Sequence, residues 1–414
     1  MSITSYPSVV RLAGNGGNAV SFDGTAVDAF GRLRVSQPYT LFDSQNRYAI
    51  DGQFSTSTSG SGAATHLPNE SSVSMDVSAT SGDEVVRQTF RVFPYQPGKS
   101  LLLLATFKMN QAKTNLRQRV GYFNTANGVF LEQGANGITF VLRTATSGSA
   151  SDARYVDKAS WNGDKLDGTG ASGITLDLTK TQILFLDFEW LGVGSVRCGF
   201  VINGSFIVAH TFHNANEQTS VYMTTAILPV RYEITNIGTA ASSSTLKQIC
   251  SSIMSEGGYE AVSQEHSARM VSATSGTYIT TTFKPLVSIR LASTALGAVV
   301  LPYNLNFLPT TSDNYELALF KNTTLTTPTW TAVASNSNVE QDLVSTSMSG
   351  GTIVYSEFTT GKSGRVPLAT GSGYNWDLQI GVSLTSVSDI YTLAARTISG
   401  TGGGIGSFSF YDLT

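Results

Sequence analysis

Asp187 and Glu189 stand two apart in the run Leu184-Phe-Leu-Asp-Phe-Glu-Trp190. On a strand, alternation places Leu184, Leu186, Phe188 and Trp190 on one face and both carboxylates on the other. Their separation would be about 5–8 Å, which spans the retaining and inverting geometries of glycoside hydrolysis. The same pair equally suits a face turned to water, a sugar or a protein partner. No second acidic cluster supports hydrolysis, so the chain reads as non-enzymatic. A second oxygen-rich stretch, Trp161-Asn-Gly-Asp-Lys-Leu-Asp-Gly168, offers Asn162, Asp164 and Asp167 among glycines, as a calcium loop does. Lys165 within it opposes a cation, and Asp-Gly is ordinary turn chemistry. Trp161 beside this loop is the expected exposed aromatic, a platform on which a sugar ring would stack. His210 and His213 point to opposite faces of a strand and do not share a metal. Nucleophile-elbow, phosphate-loop and dinucleotide motifs do not stand in a fitting context. No cofactor is expected.

These residues sit on strands and turns. Arg119–Asn124, Val129–Gln133 and Ile138–Arg143 are separated by Asn127-Gly128 and Asn136-Gly137, dipeptides that tolerate the positive φ of tight hairpins, which predicts a three-stranded meander. Ile183–Trp190 and Val196–Ile202 read as strands, and Asn203-Gly204 turns the chain into Ser205–His210. With a two-residue turn, Ile202 faces Ser205 and Phe200 faces Ile207. Lys108–Arg119 and Leu246–Met254 fit helix and strand spacing about equally, the second leaning to strand. Leu286–Leu291, Tyr315–Phe320, Ile353–Phe358, Trp376–Val382 and Gly406–Tyr411 continue the pattern. Many short strands with Gly, Asn and Ser turns predict an all-β protein. The expected organisation is an extended N-terminal arm at 1–25, a β-sandwich at 26–260, a linker at 261–282 and a C-terminal β-domain at 283–414.

Composition narrows the function classes. Over 414 residues, 26 Lys and Arg stand against 29 Asp and Glu, a net charge of −3 that gives no basic surface for coating nucleic acid. Arg32, Arg34, Arg117 and Arg119 are locally basic but are balanced by acids elsewhere. Only 13% of residues are charged, about half the usual share. The place of the missing charges is taken by Ser, Thr, Asn and Gly. Such a surface suits lasting contact with neighbouring subunits, because burying an unpaired charge costs several kcal/mol. The longest aliphatic run, Leu101–Leu104, is far short of a membrane span. The N-terminus lacks the pattern of a signal peptide, and Cys198 and Cys250 read as buried free thiols in a protein made in a reducing cytoplasm.

Two blocks carry a resemblance. The run Val27–Tyr48 (VDAFGRLRVSQPYTLFDSQNRY) resembles a motif near the N-terminus of structural proteins of tailed bacteriophages, marine and cyanobacterial ones especially. Gly121–Phe130, Leu166–Leu178, Asp187–Gly204 and Ser255–Glu260 look like the same group, so the likeness covers roughly residues 25–260. The strand pattern at 183–210 is also similar to concanavalin-like lectin sandwiches, although no sugar-binding residue carries over. The resemblance implies a surface-exposed virion component, in the head or the tail, with a lectin-like jelly-roll sandwich. Its partners would be other virion proteins, in a multi-copy or homo-oligomeric arrangement, with no nucleic acid or membrane partner. Residues 1–48 are the expected docking segment, with Phe30, Arg32, Arg34, Tyr39 and Phe42 as contacts. The alternative is a host glycan-binding protein of a tail appendage using Trp161, Asp187 and Glu189; a polysaccharide-degrading enzyme ranks third.

Overall fold

Runs of β-branched and aromatic residues, punctuated by turn residues, pair throughout into antiparallel sheets. The computed structural model describes residues 38–413 except 136, 261–262, 361–363 and 368–374, together with the strands Ile3–Tyr6, Val9–Ala13 and Ala19–Asp23. Among the described residues the helical segments are single 3-10 turns, Pro68–Glu70, Lys158–Ser160 and Trp376–Leu378. The chain divides into two compact units, Met1–Glu260 and Ala261–Thr414.

The first unit is a sandwich of two antiparallel sheets. One runs in the order Ser151–Asp157, Gly137–Thr144, Gly128–Gly134, Leu116–Phe123, Val230–Asn236, Glu84–Thr89, Phe54–Ser59. The other runs Ser205–Phe212, Val196–Ile202, Gln182–Phe188, Ser100–Lys108, Ser244–Glu256, Ser72–Val77, Ala63–Leu67, and Tyr39–Gln45 also pairs with Ser244–Glu256. The last two strands of the unit insert between earlier ones. Val230–Asn236 lies between Leu116–Phe123 and Glu84–Thr89, and Ser244–Glu256 lies between Ser100–Lys108 and Ser72–Val77. This nested winding is that of a jelly roll. Across the core, Tyr122 of one sheet meets Phe188 of the other with ring centroids 5.3 Å apart, and Phe140 meets Phe200 at 6.2 Å.

Local expectations fare as their physics dictates. The meander forms, and in the next hairpin Ile202 pairs with Ser205 and Phe200 with Ile207. Asn203 and Gly204 take φ of 52° and 77° there, the left-handed pair that a two-residue turn needs. Leu246–Met254 lies within a strand, and Lys108–Arg119 holds a strand end, a loop and a strand start rather than a helix. Cys198 is buried but Cys250 is only half-buried; both thiols are free.

The second unit pairs Gln264–Arg269, Gly404–Asp412, Val300–Pro309 and Gly364–Pro367 in one sheet. Its other sheet runs Thr331–Ala332, Val339–Asp342, Lys284–Leu291, Tyr391–Thr397, Asn314–Lys321, Thr352–Thr360. Phe307 against Tyr315 (5.1 Å), with Leu305, Leu317, Leu393 and Phe408, forms the core between them. Two expectations change. Within 261–282, expected as linker, Gln264–Arg269 pairs residue for residue with Ser407–Asp412 and buries Ala268. Trp376–Val382, expected as a strand, opens on a 3-10 turn instead. The Asn375 side chain accepts a hydrogen bond from the Asp377 N–H at 3.2 Å, an Asx cap that diverts the backbone from a ladder.

One buried cation ties the sheets of the first unit. Arg87 is fully buried, donates from Nε to Gln248 of the opposite sheet and from Nη1 to Thr56 at 2.8 Å. Burial, partly offset by Asp51 and Tyr232, brings its pKa down to about 10, so it remains charged at neutral pH. Gln248→Ala leaves that guanidinium short of its cross-sheet acceptor, and a loss of about 1.5–3 kcal/mol in urea unfolding is expected; an unchanged midpoint would show the bond to be dispensable.

Candidate functional site

The sequence-derived candidates do not converge. Trp161, expected exposed, is 2% exposed because it packs onto core rings from both sheets, forming a triangle with Phe140 (4.8 Å) and Phe200 (6.5 Å). Asp187 and Glu189 are both buried rather than presented on an open face. Asp187 lies opposite Arg197 in the ladder, forms an ion pair with it and accepts a hydrogen bond from Ser100. Asn162, Asp164 and Asp167 each serve a different local partner. Asn162 bonds both backbone groups of Thr211. Asp164 accepts N–H groups of Leu166 (2.8 Å) and Ser172 (2.7 Å), and Asp167 accepts the N–H and hydroxyl of Thr169. Asn162 ties its loop to the strand Ser205–Phe212 while the two aspartates organise turns, and the three do not form a metal-holding group. Among the described residues, no group of three His, Cys, Asp or Glu is placed to hold a metal.

Of the expected docking residues, Phe30, Arg32 and Arg34 lie outside the described residues. Phe42 is core, not contact surface: 2% exposed, it packs on Phe93 (4.9 Å) and Phe54 (6.0 Å) because its strand belongs to the sandwich sheet. Tyr39, half-buried on the same strand, stacks on Tyr259.

What the structure does assemble is a charged cavity on the outer face of the Val230–Asn236 sheet. Alternation sends Val120, Tyr122, Tyr232 and Ile234 into the core and Arg117, Arg119, Arg231 and Glu233 outward. Register then sets Arg119 directly between Glu132 and Glu233 on the neighbouring strands. Phe123, Phe130 and Val141 form an apolar floor on this same face. Gly121 permits it, since a Cβ there would come within 2.6 Å of the Phe130 Cα. Guanidinium groups roof the floor: Arg119 and Arg143 lie 5.0 and 5.1 Å from the Phe130 centroid, and Arg231 lies 5.5 Å from that of Phe123.

The roof is knitted by ion pairs. Arg143 grips Asp152 through two bonds of 2.7 Å. Arg231 takes Glu233 through bonds of 3.0 and 2.8 Å and reaches Gln88 at 3.1 Å. Arg119 bonds Glu132 at 2.6 Å, Asp152 at 3.3 Å and Glu233 at 3.5 Å, and Arg117 approaches Glu233 at 3.2 Å. Above it is a cavity of about 320 Å³ lined by Arg117, Arg119, Arg143, Arg231, Glu84, Asp152 and Glu233, with Thr125 and Ala150 of the adjoining loops. Burial alone would push the Glu233 carboxyl up, but Arg231, Arg119 and Arg117 outweigh it and hold it below the ordinary carboxylate range. For Asp152, burial is likewise overcome by Arg143, then Arg119 and Arg117.

In the sequence Arg117 and Arg119 stand only as basic residues balanced by acids elsewhere. The usable signal is charge alternating with other residues in a charge-poor chain, as in Arg117-Gln-Arg119-Val and Arg231-Tyr-Glu233-Ile. Arg143 and Asp152 carried no such signal, since register alone brings them in. Because both carboxyls are depressed in the folded state, their stabilisation is complete above the ordinary carboxylate range and lost as pH falls through the folded values. Urea midpoints of the native protein should therefore drop steeply between about pH 5 and pH 2. Glu233→Gln, less stable at neutral pH, should show a distinctly shallower slope in that window; an identical slope would contradict the ion-pair assignment.

No protein-family model matches the chain, and no curated protein matches it. Among solved structures it is similar to the carbohydrate recognition domain of Emp47p, at 9% identity and TM-score 0.33, over 53% of this chain and 97% of that one. It is similar to a legume lectin-like domain from Entamoeba histolytica, at 10% identity and TM-score 0.31, over 53% of this chain and 98% of that one. A glycosyl hydrolase family 16 protein from Mycobacterium smegmatis is similar at 10% identity and TM-score 0.34, over 52% of this chain and all of that one.

Proposed function

We propose that this chain is a non-enzymatic structural component of a tailed-phage virion, displayed in multiple copies on the particle surface and attached through its N-terminal segment. The observation that carries the reading is where its few charges are. In the first unit, arginines and carboxylates bond to one another in the outer-face network and in the Asp187–Arg197 pair. The remaining surface is largely Ser, Thr, Gly and Asn, which neighbouring subunits cover without stripping water from ions. In the second unit, the edge strand Thr352–Thr360 exposes Ile353, Val354, Tyr355 and Phe358. An apolar edge of this length favours a covering neighbour in the working assembly. The resemblance of Val27–Tyr48, and of blocks within roughly residues 25–260, to tailed-phage structural proteins supports the particle.

The carboxylates also favour the non-enzymatic side. Glycoside hydrolysis needs one carboxyl kept protonated near neutral pH, whereas Glu233 and Asp152 are held the opposite way. A second reading, a host glycan-binding protein, is favoured by the cavity itself, whose donors and acceptors are fixed before any ligand arrives.

Quantitative mass spectrometry of purified particles encoding this chain should find it in tens to hundreds of copies; its absence from them would refute the proposal. Deleting residues 1–25 should leave a folded protein that is not incorporated, and normal incorporation would remove the docking role. Purified protein should leave host polysaccharide uncut. Cutting that disappears in Glu233→Gln would make it an enzyme instead.

A further inference from the structure

We propose that the arginine-lined cavity binds a sugar residue bearing one carboxylate, of the uronate or sialate class. The inference rests on the second, glycan-binding reading above and deepens it. Lining the cavity are four guanidiniums and three carboxylates, and Glu132 beside Arg119 brings the cluster to charge balance. Donors are nevertheless in excess, because each guanidinium carries five N–H groups and a carboxylate none. Arg117 holds the most capacity: its Nη2 meets Glu233 at 3.2 Å and its Nε is buried, so its Nη1–H groups and the second Nη2–H are what it offers the cavity. Its side chain is also the most open of the four, at 28% exposed against 7–11% for the others. A planar anion entering the cavity meets a fork suited to two parallel N–H···O bonds.

The carboxylates select the rest of the ligand. Inorganic phosphate, a mixture of mono- and dianion at neutral pH, brings more negative charge than a carboxylate and mostly acceptors, and it would be repelled by Asp152 and Glu233. A sugar acid brings one negative charge for the arginines and hydroxyl donors for those carboxylates, matching both halves of the lining. Glu84, which accepts the Thr235 hydroxyl at 2.9 Å, lines the same space and adds acceptor capacity to it. The volume, near the lower end for ligand pockets, suits a single small residue of a glycan rather than a long bound chain.

Calorimetric titration of the full chain with trigalacturonate, sialyllactose, neutral galactotriose and inorganic phosphate tests this, binding of either acidic sugar alone naming the uronate or the sialate class. Trigalacturonate should bind, more weakly as salt rises, with galactotriose and phosphate at least about tenfold weaker. Arg117→Gln should reduce trigalacturonate affinity by about tenfold or more. Thr125→Trp, on an exposed rim residue that makes none of the ion pairs, should block the cavity with the fold intact, while Lys180→Gln, at an exposed side chain away from the cavity lining, should leave trigalacturonate affinity unchanged. Galactotriose binding as tightly, or binding indifferent to both cavity variants, would overturn the sugar-acid assignment and leave glycan binding standing. Phosphate binding as tightly would replace it with a plain anion site. Failure of sialyllactose and both oligosaccharides to bind would remove the glycan reading as well, leaving the virion proposal to be judged on particle composition.

Discussion

Strand Val230–Asn236 has to satisfy two faces at once, and the first unit is organised around that constraint. It enters late in the chain, between two strands already separated by more than a hundred residues from its own position. Inward it must supply Val230, Tyr232 and Ile234 to the core. Outward it must supply Arg231 and Glu233 at the register where Arg119 and Arg117 wait. A slip of one residue would drive both ions into the core and Val230, Tyr232 and Ile234 out. Burying ions unpaired is expensive enough to forbid that alternative, so the charged face acts as a register lock as well as a surface.

That economy of charge runs through the molecule. Ionised groups are scarce, and most of the buried ones occur where several share a partner or bridge two strands. Glu233 is the hub of one cluster, Asp187 and Arg197 form another, and Arg396 with Glu316 a third in the second unit. Each cluster lies across adjacent strands of a ladder, where opposite residues are fixed about 5 Å apart and desolvation is offset by direct bonds. Phe123, Phe130 and Val141 show the consequence. They are on the outer face of a sheet yet fully covered, because guanidinium groups lie over them in place of another layer of chain.

Legibility in the sequence followed the range of the interactions. Hairpins were readable: Asn203-Gly204 sets a two-residue turn, and the turn alone pairs Phe200 with Ile207. The strand at Trp376 was misread because an Asx cap two residues long outweighs the apolar pattern around it. Trp161 was misplaced for a different reason. Its neighbours Asn162 and Asp164 are turn formers, which suggests exposure, while its burial depends on Phe140 and Phe200, which arrive from separate strands. Asp187 and Glu189 alternate with apolar residues as a surface pair would, yet both are buried, because whether a strand face looks outward or inward is not written in its period.

By itself the sequence determined the class: strands from alternation, turns from Asn-Gly and Asp-Gly, and an all-β chain whose surface carries few ions. These are local or summed properties, decided by backbone sterics and composition. Only the tertiary structure decided which residues form a site. Arg117, Arg143, Asp152 and Glu233 span more than a hundred positions and meet because strands from distant parts of the chain pair in one register. Long-range pairing is set by the whole core's burial, and no short stretch of residues encodes it.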